Sequence, residues 1–164
     1  QKKFYNCDGI NSAINWILEH SNESEYESDV NGYQVAMGAH KMIFVINMNL
    51  KMGTGKLAAQ VGHASISVYR LAQRKEEGQR ALEAWRACGE MKVVVKGQNT
   101  EHLLELFKMA KDLRFFPCFF YMGLFAYVVS DAGRTQIPAG SRTVLAIFGP
   151  SDLVDSVTGQ LKLL

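Results

Sequence analysis

From residue 42 onward the apolar positions fall into two kinds of block. Residues 42–46 (MIFVI) are a continuous apolar run rich in Ile and Val, the pattern of a strand buried on both faces. A glycine-containing turn follows, and then a long helix from about Thr54 to Gln73. Its Leu57, Val61, Ala64, Val68 and Leu71 step by four and three to make a core-facing stripe. Residues 79–87 predict a shorter helix, and 93–95 a second buried strand. Asn99 or Thr100 can cap a further helix whose Leu103, Leu106, Phe107 and Ala110 face inward. Residues 126–129 and 143–148 read as strands joined by a Gly/Pro-containing segment, and Ser151 or Asp152 starts a last helix running toward Gly159. Strands alternate with helices until two strands follow in succession. The expected architecture is a three-layer α/β/α sandwich with a four-stranded mixed sheet, in one α/β domain.

The first forty residues differ. Residues 9–20 (GINSAINWILEH) set Ile10, Ala13, Ile14, Ile17 and Leu18 at helical spacing, and 21–31 is a Ser/Glu/Asn-rich linker. This divides the chain into an acidic N-terminal helix and linker, 1–40, and the α/β domain, 41–164. Charge follows the same division: residues 1–40 carry a net −4, and 41–164 carry 16 Lys and Arg against 10 Asp and Glu. A basic domain suits a polyanionic partner. Hydrophobic residues make up 48% of the 164, enough for a full core. Three scattered cysteines (Cys7, Cys88, Cys118) point to a reducing compartment rather than a disulfide framework, and four scattered histidines give no metal spacing. The basic start leads into a polar run, so no signal peptide is expected. The uncharged stretch 115–129 is 15 residues long, short of the roughly 20 of a membrane helix, so no membrane span is expected.

Candidate chemistry sits in two places. Met52-Gly53-Thr54-Gly55-Lys56 lies between the first strand and its helix, where glycines let backbone approach an anion and a helix start offers N–H groups. It is not a nucleotide P-loop, because the glycines are two apart and Leu57 follows the lysine. It is either an anion-facing loop or a tight turn. Lys56, Gln60 and His63 then project from one helix face, beside the apolar stripe. They form either a sheltered polar site or a row of boundary residues. The second place is Asp131-Ala132-Gly133-Arg134-Thr135-Gln136, after a strand, which taken alone reads as a turn.

Together these segments carry a resemblance. KMGTGKLAAQVGHASISVY, KVVVK, DAGRTQIPAGSRTVLAIFGP and VTGQLKLL, in that order, resemble the peptidyl-tRNA hydrolase type 2 family of archaea and eukaryotes over residues 41–164. The resemblance implies a mixed four-stranded sheet between helices, a homodimer as is frequent in the family, and hydrolysis of a peptide esterified to the 3′-terminal ribose of tRNA. It implies no metal and no organic cofactor. The implied catalytic set is Lys56, Gln60, His63, Asp131, Thr135 and Thr143. Ester hydrolysis needs an activated water, a stabilised oxyanion and a protonated leaving oxygen. Asp131 suits the orienting or deprotonating of water, with Thr135 or Thr143 holding it, and Lys56 the neutralising of developing charge. No serine or cysteine stands beside a base, which argues against a covalent acyl-enzyme. Lys51, Lys92, Lys96, Arg134 and Arg142, with Lys41 and the backbone at Gly55, are the candidates to hold the tRNA end.

The chain departs from the family in three ways. Asn47 and Asn49 stand where family members usually carry an Arg and an Asp, which removes two charges together and questions tRNA affinity at that edge. Residues 115–125 insert about ten residues, five of the eleven being Phe, as a packed loop or a partner-binding surface. Residues 13–20 resemble the last helix of ubiquitin-associated domains, but only that helix, so docking on the main domain is the plainer reading. An adaptor acting through the insert or the N-terminal helix, with little or no catalysis, is the competing function. A nucleic-acid-binding domain without turnover is a third. The expected setting is cytoplasmic, with mitochondria as a second location.

Overall fold

The apolar runs become the inner strands of one sheet. The computed structural model describes residues 39–113, 123–133 and 137–164. Four strands, β1 (His40–Asn47), β2 (Lys92–Gly97), β3 (Phe125–Ser130) and β4 (Arg142–Pro150), lie in the order β2-β1-β4-β3. β1 runs parallel to β2, while β4 is antiparallel to both β1 and β3, so the sheet is mixed as expected.

Alternation along the two central strands feeds two cores. Phe44, Ile46, Ala146 and Phe148 turn to one face, where they meet Ala64, Val68 and Ala72 of α1 (Thr54–Gln73) and Leu82 and Trp85 of α2 (Glu76–Ala87). Ile43, Val45, Leu145 and Ile147 turn to the other, against Leu103, Leu106 and Ala110 of α3 (Thr100–Asp112) and Val154 and Val157 of α4 (Ser151–Thr158). The result is the expected three-layer α/β/α sandwich. Of the long-helix stripe, Ala64 and Val68 are buried, whereas Leu57, Val61 and Leu71 pack half-buried at its margin. Asn99, not Thr100, caps α3, its side chain accepting the His102 N–H at 2.9 Å. α2 begins three residues ahead of the expected 79, with Glu76 and Glu77 in its first turn.

Because β1, β2 and β3 all point the same way, their C-terminal ends and the start of β4 share one end of the sheet. The pairs Asn47↔Gly97 and Ser130↔Arg142 mark that end. A short 3-10 turn, Met48–Leu50, and Lys51 in the left-handed region (φ 46°) carry the chain from β1 to α1. Beside them Asn47 is buried, donating to the Thr100 hydroxyl at 3.2 Å and the Arg142 carbonyl at 2.8 Å while accepting the Asn49 N–H. It ties β1, α3 and β4 together rather than facing solvent. The C-terminal residues cover the outer edge of β2, with Lys96 N–H donating to the Lys162 carbonyl and Leu164 N–H to that of Val94. β3 forms the opposite edge.

The N-terminal helix expected at 9–20, residues 114–122 of the insert, and Arg134 and Thr135 lie outside the described residues. The end of the insert is described: Leu124 and Phe125 are buried, on opposite faces of the sheet. Among the described residues no helix is long and apolar enough to cross a membrane.

Asn47 generates a stability prediction. Asn47→Ala leaves the Arg142 carbonyl and Thr100 without their donor, so urea unfolding should report a loss of about 1–3 kcal/mol. A loss within experimental error would contradict the bridging role.

Candidate active site

The start of α1 stands over the shared end of the sheet. Gly53 precedes it as N-cap, so Lys56 sits in the first turn and Gln60 one turn on. Asp131 follows β3 directly, and its backbone is held on both sides: its N–H donates to the Ser141 carbonyl at 2.9 Å and its carbonyl accepts the Gly140 N–H at 2.8 Å. Helix and turn meet there. Lys56 Nζ donates to Asp131 Oδ2 in a close ion pair, the two side chains only 11% and 5% exposed. Gln60 Nε2 donates to the same oxygen at 2.9 Å, and Gly133 N–H to Oδ1 at 2.7 Å.

The glycine of this turn is required. Gly133 has φ +73°, and a Cβ there would lie 2.5 Å from the Ala139 nitrogen. The turn is the one in which an Asp side chain bonds the backbone two residues on. Behind Gln60, the fully buried Thr143 donates its hydroxyl to Gln60 Oε1 at 2.6 Å. That bond orients the amide, leaving its NH2 toward the carboxylate.

The Lys56 hydrogen bond, followed by the Gly133 N–H, holds the Asp131 carboxyl below its ordinary value of 3.8, against the opposing effect of burial. Lys56 charge and the Gln60 amide add to the lowering. Asp131 is thus an anion at neutral pH and a weak proton acceptor. Among the described residues three donors occupy three of the roughly four acceptor positions a carboxylate offers, and Oδ1, with one of them, can take a water O–H. The N-terminal end of α1 adds partial positive charge near Lys56. A fixed anion beside an ammonium can orient water against a carbonyl and stabilise the oxyanion that forms.

The group opens into a cleft of about 730 Å³ between α1 and the end of β3. Gly55, Lys56, Gln60, His63 and Asp131 all line it, with His63 exposed on the wall. Thr143 lies behind the lining and reaches the cleft only through Gln60. Ala59, Ser67, Tyr127, Val129, Ser130 and Ala132 complete the walls and are not among the residues the sequence singles out for the site. Ala59 and Ser67 fall on the same helical face as Lys56 and His63, a signal that was available. Lys51, Lys96 and Arg142 belong to the same end of the sheet and are exposed. Lys92 and Lys41 do not join them, because they open β2 and β1 at the far end. Lys92 bonds Glu90 and stands 4.5 Å from the centre of the Trp85 ring, and Lys41 pairs with Asp155. Among the described residues no three His, Cys, Asp or Glu side chains converge as a metal site would require.

Residues 40–164 match the family described as Peptidyl-tRNA hydrolase PTH2. The chain is 52% identical to the "Probable peptidyl-tRNA hydrolase 2" of Caenorhabditis elegans over 171 aligned positions, covering 97% of this chain and 51% of that protein. It is 45% identical to the "Peptidyl-tRNA hydrolase 2, mitochondrial" of Bos taurus, over 90% of this chain and 75% of that one. The "Peptidyl-tRNA hydrolase" of Methanothermobacter thermautotrophicus is 40% identical over 76% of this chain and 99% of its own. The chain therefore spans about half the length of the worm protein and nearly all of the archaeal one's. With the family's motifs, its sheet and this degree of identity, the chain belongs to the peptidyl-tRNA hydrolase PTH2 family.

Proposed function

We propose that the chain hydrolyses the ester joining a peptide, or an N-blocked amino acid, to the 3′-terminal ribose of tRNA, and so returns free tRNA to translation. The observation that carries this is the Lys56–Asp131 pair, drawn from positions 75 residues apart into one cleft. The relatives' printed activity and the basic side chains at the same end of the sheet support the substrate.

Asp131, kept ionised, holds a water by one O–H and turns its oxygen toward the ester carbonyl carbon. That oxygen bonds to the carbon as the bond to the ribose oxygen breaks, and the water's proton ends on the ribose. Lys56 neutralises the carbonyl oxygen as charge gathers there. Gln60 and Thr143 keep Asp131 in place, and His63 on the wall positions a neighbour rather than carrying protons. Thr135 belongs to the same reading by motif alone. Lys51, Lys96 and Arg142 take tRNA phosphates, so that affinity falls with salt and is indifferent to tRNA sequence. A cytoplasmic setting, a mitochondrial one suggested by the bovine relative's name, and a homodimer are part of the same proposal.

Release of tRNA from N-acetylaminoacyl-tRNA tests it. Asp131→Asn and Lys56→Ala should each lower kcat by on the order of 10²–10³, the usual cost of one electrostatic stabiliser. Near wild-type turnover in both would contradict the assignment. Thr143→Val, which keeps the shape and removes the hydroxyl, should lower kcat with little change in KM, and Thr143→Ser should restore it. An unchanged Thr143→Val enzyme would remove the relay through Gln60. The pH profile follows from the lowered carboxyl. The pair's contribution to stability and activity is full above pH 3.8 and fades only as pH falls through the folded-state value. In Lys56→Ala, burial is left opposed by fewer donors, so the Asp131 carboxyl should titrate at higher pH. A carbon-detected NMR titration reads this, and an unmoved midpoint would contradict it.

A further inference from the structure

From Lys56 to Ser67 the lining of the cleft follows α1 for three turns, about 16 Å. Lys56 and Asp131 occupy its polar end, while the other end is walled by Ser67 of α1 and Tyr127 of β3, with His63 between. Phe125, Tyr127 and Val129 alternate along β3 and share the face toward α1. Phe125 and Val129 are sealed, at 2% and 6% exposed, yet Tyr127 between them is 41% exposed. Beyond Lys56, Gln60 and His63, α1 gives the cleft only the small side chains of Ala59 and Ser67. An aromatic ring stands bare inside a concave wall, between two covered neighbours.

Four strand residues at roughly 3.3 Å each put Tyr127 about 13 Å from Asp131. A water, an ester carbonyl, a ribose and a purine in series cover that distance. We infer that Tyr127 is the stacking platform for the terminal adenine of the tRNA, which rests on the hydrolase reading above. The peptide and the tRNA body both vary among substrates, whereas the terminal adenosine is common to them all. Single-stranded bases are taken up by stacking on aromatic side chains, and a ring face binds a base without hydrogen-bond readout. A fixed aromatic wall facing the esterified amino acid would instead discriminate among residues of different size and charge.

Three esters of one N-acetylated amino acid separate these cases: on tRNA, on adenosine, and on a ribose analogue lacking the base. For the first two, Tyr127→Ala should raise KM about tenfold, a size within what one stacked base supplies. kcat should stay within twofold, and Tyr127→Phe, which keeps the ring, should restore KM. For the base-free ester, wild type and Tyr127→Ala should share one KM. An equal rise with the base-free ester, or no rise with the other two, would each overturn the platform. Adenosine 5′-monophosphate binding followed by NMR gives a readout independent of turnover, and Tyr127→Ala should weaken it. Tyr127-dependent binding in a wild-type protein that leaves all three esters intact would retire the hydrolase reading while keeping the platform.

Discussion

One carboxylate held against one ammonium joins the end of β3 to the start of α1. Both side chains are nearly buried, so separating them would leave a charge against a poorly solvated wall, a loss that exceeds whatever the pair contributes in place. The neighbouring groups answer that demand. Gly133 and Gln60 supply the remaining donors to the carboxylate, Thr143 fixes the amide of Gln60, and Ser141 and Gly140 hold the backbone of Asp131. Remove the pair and these contacts have no common object. The cleft opens between α1 and the end of β3, with the pair in its wall.

The same donors decide what the carboxylate can do. A group held below the ordinary carboxylate range is a poor base near neutrality, so what it offers to the proposed hydrolysis is a fixed orientation of water and charge. In the proposed reaction the oxyanion's partner is Lys56, whose charge Asp131 already compensates. On that proposal substrate entry would redistribute an existing pair rather than bury a new charge. The exposed cations Lys51, Lys96 and Arg142 lie at the same end of the sheet, where a polyanion can reach them without crossing either core.

Much of this was legible in the sequence, and the failures have physical causes. Both ends of α1 are legible, because a glycine turn precedes it and its apolar residues step by four and three in four successive steps. α2 was entered late because Glu76, Glu77 and Gly78 carry no apolar signal, although acidic residues suit a first turn. β1 and β4 were drawn short, since His40, Gly149 and Pro150 join the ladder only through their partners. The Lys56–Gln60–His63 row follows from helical spacing alone. That Asp131 meets it is a tertiary fact, reached in the sequence only through the motif resemblance. Net charge cannot tell which end of a sheet a lysine occupies, and so Lys92 and Lys41 were grouped with residues they do not join. The Asn at positions 47 and 49 puts tRNA affinity at that edge in question from sequence alone, and the fold adds that Asn47 is a buried bridge. Alternation along β3 gives Tyr127 the same face as the buried Phe125 and Val129, and its exposure is visible only in the fold.

The central claim is that Lys56 and Asp131 act as one unit in ester cleavage. A double-mutant cycle in kcat/KM, with Lys56→Ala, Asp131→Asn and both together on N-acetylaminoacyl-tRNA, measures this directly. The account predicts that the double variant is hardly slower than either single one, because each substitution already disables the unit. Losses that multiply, as for independent sites, would contradict it.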